Sequence, residues 1–148
     1  MPDSQAMQWQ GVNHIALQTG DLDATIQFYR DMLDMEVMFT APAGEMHGRH
    51  AGIRPGGSGF MHFFEVQHAQ QFPPPDLMKM HWIPGALHHI SFTLPNEATA
   101  LALKTRLESL KIDTSPAMDQ GNCVIFMFLD NNGIMLEANW ISDEQRSA

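Results

Sequence analysis

The feature that most constrains this chain is that its second half repeats its first. Gly11-Val-Asn-His-Ile-Ala-Leu17 returns as Ala86-Leu-His-His-Ile-Ser-Phe92, setting His14 against His89 at an offset of 75 residues. A helical pattern follows each copy. Asp21 to Met35 places Leu22, Ile26, Tyr29 and Leu33 on one face, and Asn96 to Lys111 does the same with Leu103, Leu107 and Leu110. Asp21 and Asn96 stand where a side chain can accept from the first helical turn, and Lys111 complements the C-terminal end of the second helix. Each copy then closes in apolar, β-prone segments. These are Gly59 to Val66 in the first, and Val124 to Asp130 and Ile134 to Trp140 in the second. Asn131-Asn132-Gly133 joins the last two, a strong hairpin signal.

A half of this size cannot readily bury both faces of its own sheet, so the halves are expected to pair. The expected class is α+β, with two paired βαβββ modules in one domain over residues 1–148. Module one spans about 11–68, a linker about 69–85, and module two about 86–141. The linker contains Gln70-Gln-Phe-Pro-Pro-Pro-Asp76, which reads as stiff and extended.

Charge narrows the partners. Seventeen acids against eight bases give a formal net charge of −9. Nucleic acid and anionic membrane both need a basic face, so neither is expected as a partner. There is no apolar run of the ~18 residues a membrane span needs. The start, MPDSQAMQWQ, has neither the basic nor the apolar part of a secretory signal. Cys123 is the single cysteine, so no intrachain disulfide forms. The default expectation is a cytoplasmic protein. The twelve methionines suit an adaptable pocket or ordinary core filling.

Strand alternation sorts the polar residues onto faces. His14 goes with Val12 and Ala16, and His89 with Leu87, Ser91 and Thr93. Glu137 goes with Met135, and Glu65 with Met61 and Phe63. Taking Glu65 as the mate of Glu137 gives an offset of 72, three short of the histidine offset. An imidazole and a carboxylate on an apolar strand, twice, is an unusual expense. A buried carboxylate must be paired or metal-bound, and two facing carboxylates repel. One divalent cation relieves both, and two imidazoles complete a mixed nitrogen–oxygen set. A lone histidine or glutamate on a strand is commonly just hydrogen-bonded or solvated, so the matched repetition carries the reading. His62 and His88 fall on faces opposite to these, as possible acids or bases. His47, His50, Arg49 and Arg54 sit in a glycine-bearing segment, Gly44 to Gly59, read as a loop-hairpin region near the site mouth. The arginines are either solvated or hold an anionic substrate tail.

These residues make the chain similar to the vicinal-oxygen-chelate superfamily, which includes glyoxalase I, extradiol dioxygenases and bleomycin-binding proteins. The resemblance rests on Asn13-His-Ile-Ala-Leu17, Gly20-Asp-Leu-Asp-Ala-Thr-Ile-Gln-Phe-Tyr29 and Leu129-Asp-Asn-Asn-Gly-Ile-Met-Leu-Glu137, and covers about residues 11 to 141. It implies a U-shaped, mostly antiparallel sheet around a metal site in a homodimer. The implied ligands are His14, Glu65, His89 and Glu137, holding one divalent ion (Ni, Co, Zn, Fe or Mn). The implied substrate is a small molecule that chelates through vicinal oxygens. Glyoxalase-like lyase or isomerase chemistry through an enediolate is the leading expectation, with Glu137 moving the proton and Glu65 as its mirror. Extradiol ring cleavage stands second, because those enzymes use two His and one Glu and usually a tyrosine beside the metal. The single tyrosine here, Tyr29, is expected in the core. A bleomycin-type binding protein stands third.

Overall fold

The repeat is realised as two four-stranded sheets in the computed structural model, which describes residues 10–67, 77 and 84–142. Strands β1 (His14–Thr19), β2 (Glu36–Ala41), β3 (His50–Arg54) and β4 (Phe60–Glu65) form the first, in the order β1-β4-β3-β2. Strands β5 (Ile90–Thr93), β6 (Met118–Asp119), β7 (Val124–Leu129) and β8 (Met135–Trp140) form the second, in the order β5-β8-β7-β6. In each sheet the first strand runs parallel to the fourth and the other pairs are antiparallel. The class is α+β, as the pattern of apolar segments implied. The Gly44 to Gly59 segment holds β3, which makes hairpins with β2 and β4.

The helices start where the caps predict. Asp21 accepts from the Ala24 amide at 2.9 Å and opens α1 (Leu22–Gln27). Asn96 accepts from the Thr99 amide at 2.9 Å and opens α2 (Glu97–Ser109). Each cap satisfies an amide that the helix itself leaves without a partner. The first helix does not run as one α-helix to Met35. It widens into a π-helical turn over Phe28–Met32, and Asp34 leaves it with φ at +55°. Lys111 likewise takes φ at +65° and ends the second.

Both helices cover the same face of their sheets. Leu17, Leu22, Phe28, Tyr29, Ile53, Met61 and Phe63 join Leu107, Phe126, Phe128, Leu136 and Trp140 in one buried cluster. Each such large side chain contributes about 1.5–3 kcal/mol through burial, so the halves are stabilised jointly. Polar ties reinforce the join. The buried Tyr29 hydroxyl donates to Asp130 Oδ2 at 2.9 Å. Thr19 Oγ1 donates to Asn132 Oδ1, and Asn131 Nδ2 to Thr25 Oγ1, each at 2.9 Å. Asp130 Oδ1 also accepts from the amides of Asn132 and Ile134, closing the expected turn around Gly133, whose φ is +79°. The Pro-rich stretch and Met78, Met80 and Trp82 lie outside the described residues. Among the described residues no helix is long and apolar enough to cross a membrane.

Candidate functional site

Strand pairing supplies the alignment of the two halves that residue types alone could not. Ala16 and Gly52 flank His62 across the first sheet, as Ser91 and Met127 flank Glu137 across the second. Each of these correspondences has the same offset of 75 that relates His14 to His89. The structural counterpart of Glu137 is therefore His62, and that of Glu65 is Trp140.

This corrects the expected pairing of Glu65 with Glu137, and parity gives the reason. Met61 and Phe63 are 2% and 0% exposed beneath the helix layer, so Glu65, two residues on, points to that side as well. Its carboxylate meets the start of α1, accepting from the Leu22 amide at 3.1 Å and from Arg49 Nε and Nη2 at 2.8 Å each. Arg49 also pairs with Asp23. The Arg49 guanidinium, helped by the Leu22 amide, pulls the Glu65 pKa down to about 2. Such a group holds no proton near neutrality, and its oxygens already face three donors. Arg49 and Arg54 are engaged too, Arg54 with Glu36 at 2.9 Å.

In module two the expected pair does meet. Glu137 is 9% exposed, and its Oε1 accepts from Ser91 Oγ at 2.6 Å. Its Oε2 stands 3.8 Å from His89 Nε2. Asn139 Nδ2 donates to Ser91 Oγ at 2.7 Å, so Ser91 is itself held in place. One carboxylate oxygen is thus oriented and the other turned to an imidazole, an arrangement that suits a ligand supported from behind.

In module one His14 meets rings. Its imidazole stacks on Phe60 with centroids 5.1 Å apart and lies edge-on to His62 at 5.8 Å. His62 Nε2 and His50 Nδ1 share a hydrogen bond of 2.7 Å. His47 stands edge-on to His50 at 4.6 Å. Partial burial, then the neighbouring His50, His14 and His47, lower the pKa of His62. Sequence reasoning noticed His62 but set it on the wrong side relative to the site; counting 75 residues back from Glu137 would have found it. His88 Nδ1 lies 2.6 Å from His89 Nδ1. Tyr29 is fully buried and bound to Asp130, as expected of a core residue.

The structure thus gathers His89 with Glu137 and His14 with His62, and leaves Glu65 apart. Among the described residues no group of three or more His, Cys, Asp or Glu is arranged to hold a metal ion. The donor chemistry nonetheless fits a divalent cation: imidazoles on open sheet faces and one oriented carboxylate are the ligand types that Zn, Fe and Ni take.

The sequence model described as Glyoxalase/Bleomycin resistance protein/Dioxygenase superfamily matches residues 11–138. No curated protein matches the sequence. Three solved structures share the fold. A glyoxylase/bleomycin resistance protein/dioxygenase domain from Frankia sp. EAN1pec is 24% identical with a TM-score of 0.72, over 90% of this chain and 98% of that one. A lactoylglutathione lyase from Agrobacterium tumefaciens is 23% identical with a TM-score of 0.62, over 90% and 96%. The fosfomycin resistance protein FosX from Listeria monocytogenes, in a mutant form complexed with Mn(II) and 1S,2S-dihydroxypropylphosphonic acid, is 16% identical with a TM-score of 0.66, over 95% and 100%.

Proposed function

The chain belongs to the Glyoxalase/Bleomycin resistance protein/Dioxygenase superfamily, and from that premise we propose that it is a divalent-metal enzyme acting on a small compound with vicinal oxygens. The observation that carries the reading is the His89–Glu137 pair, oriented by Ser91, with His14 and His62 at the equivalent positions of the other module. His14, His89 and Glu137 would hold the ion. Neither pair alone is a ligand shell, so the ion would need both, brought together within one chain or between two copies in a homodimer. When bound, the ion supplies Lewis-acid polarisation of the two substrate oxygens.

The protein's own groups do the rest. Ser91 keeps Glu137 Oε1 occupied, so Oε2 is the oxygen left for the ion. His50 holds His62 Nε2, which leaves Nδ1 of His62 to take the proton of a substrate hydroxyl. Glu65 takes no part in proton transfer, because Arg49 keeps it ionised and engaged.

That last point bears on the reaction. The leading expectation, lyase or isomerase chemistry, leaned on a second carboxylate at the ion. With Glu65 committed to Arg49, two His and one Glu remain. This is the set that leaves adjacent positions open for a chelating substrate and oxygen. Ring-cleaving dioxygenase chemistry is therefore the better supported of the two. The test loads the protein with Fe(II) or Ni(II) and measures oxygen consumption with catechol alongside isomerisation of a 2-oxoaldehyde thiol adduct. Oxygen uptake in the Fe(II) protein, absent in Glu137→Gln, is the expected result. Turnover of the adduct alone returns the reading to lyase chemistry. Neither activity, with metal bound, would leave a binding protein.

A further inference from the structure

The open face of the first sheet, turned away from the helices, is paved with aromatic rings. Phe64 lies on His62 at 4.1 Å between centroids and stacks flat on His50 at 5.2 Å. Phe60 stacks on His14, and Phe39 stands edge-on to both Phe60 and His62 at 6.0 and 5.4 Å. Phe39 reaches this position because Gly52 lies beneath it. A Cβ at Gly52 would come within 2.3 Å of the Phe39 ring, so only glycine lets that ring lie across β3. Phe39 remains 36% exposed, and Val12 at the sheet edge 70% exposed.

Among the described residues the same face holds no guanidinium free for an anion. Arg54, at its far end, is paired with Glu36. Arg49 is paired with Glu65 and Asp23, Arg106 with Asp34, Lys104 with Glu108, and Arg30 with Asp31. The chain as a whole carries a net charge of −9. An acidic tail on a ligand would meet a negative protein whose described arginines are already matched. A flat, uncharged ring meets quadrupolar edges and faces of its own kind, in offset and edge-on geometries that such rings favour.

We propose that Phe39 and Phe60, with Gly52 beneath Phe39, are specificity-determining residues that select flat, uncharged aromatic ligands bearing vicinal oxygens and reject ligands with an acidic tail. The inference rests on the functional reading above for the role of the oxygens. The ring platform itself needs no metal.

The test is calorimetric titration of the full chain, metal-free and Fe(II)-loaded under argon. The probes are 2,3-dihydroxynaphthalene, 3,4-dihydroxybenzoate and the fully aliphatic 1,2-propanediol. Binding of dihydroxynaphthalene at least about ten-fold tighter than of dihydroxybenzoate is expected in both forms, with no measurable binding of propanediol to the metal-free form. Phe60→Ala should weaken the naphthalene probe about five-fold and leave metal content unchanged. Phe39→Leu, the gentler change, should do so by about two-fold with an unaltered circular dichroism spectrum. Equal or tighter binding of dihydroxybenzoate overturns the proposal, as does a Phe60→Ala variant that binds like the wild type. Ring preference in a protein that takes up no metal would sink the metal reading alone; metal uptake without ring preference would sink this one alone.

Discussion

The open faces of the two sheets share one register and almost no chemistry. In module one that face is half-exposed and aromatic, with Phe39, Phe60 and Phe64 among His14, His50 and His62. In module two it is aliphatic and closed: Ile125, Met127 and Met135 are 6%, 1% and 4% exposed, with Leu77, Met118 and Leu129 packed on them. Glu137 lies on the closed face, where its counterpart on the open one is His62. The comparison shows that the repeat fixes where side chains point while leaving each half free to supply a different part of a site. One half offers a held carboxylate and the other a surface to lie on.

The largest effect should come from the position pair that parity assigns to the core. Trp140 is 1% exposed, and Trp140→Ala should cost about 3–5 kcal/mol in urea unfolding through lost burial and a residual cavity. Its counterpart, Glu65, carries an ion pair in place of an indole. Glu65→Gln should cost only about 1–2 kcal/mol, since Arg49 is partly exposed and keeps Asp23. Equal costs would mean that the Glu65 ion pair stabilises the fold as much as the buried indole does.

Acidity sharpens the same contrast. The folded-state pKa of Glu65 lies at about 2, below the ordinary carboxylate value of 4.5. A depressed pKa means the unfolded chain binds the proton more readily. The ion pair's contribution is thus complete above about pH 4.5 and is lost as pH falls toward about 2. Thermal unfolding between pH 5 and pH 2.5 should show a steeper decline for the wild type than for Glu65→Gln; parallel declines would contradict the ion pair's role.

The tie between the halves gives a further effect of similar size. Tyr29→Phe removes the buried hydroxyl that donates to Asp130, and should destabilise by about 1–2 kcal/mol by urea unfolding. No change would mean that this hydrogen bond adds nothing to the join between the modules. The smallest effect is expected at Gly52. Gly52→Ala forces a ring that is one-third exposed to swing aside, at a cost of about 1 kcal/mol or less. The counterpart Met127 already accommodates a long side chain. A large loss of stability at Gly52 would show Phe39 to be structural and not a ligand-facing ring.

Much of the fold could be read from the sequence. The repeat, both N-caps, the core role of Tyr29 and the Asn-Gly hairpin all follow from local chemistry that the surroundings do not override. The π-helical turn at Phe28–Met32 could not be read, because apolar positions three and four apart fit an α-helix equally well. Of the candidate site, His14, His89 and Glu137 are proposed from type and spacing, and the structure brings His89 Nε2 within 3.8 Å of Glu137 Oε2. The equivalence of His62 to Glu137 was not read, because its counterpart is a glutamate and matching by residue type drew Glu65 instead. Alternation gave no correction, since Phe60-Met-His-Phe-Phe64 is apolar on both faces and does not mark its own buried side. Only the pairing of β4 with β1 and β3 distinguishes them.

The most direct test of the account is the metal content of the purified chain, without chelator and after incubation with divalent ions, compared across wild type, Glu137→Gln and Glu65→Gln. The account predicts one divalent ion per chain in the wild type, kept in Glu65→Gln and lost in Glu137→Gln. Loss of the ion in Glu65→Gln with retention in Glu137→Gln, or no uptake by any of the three, would contradict it.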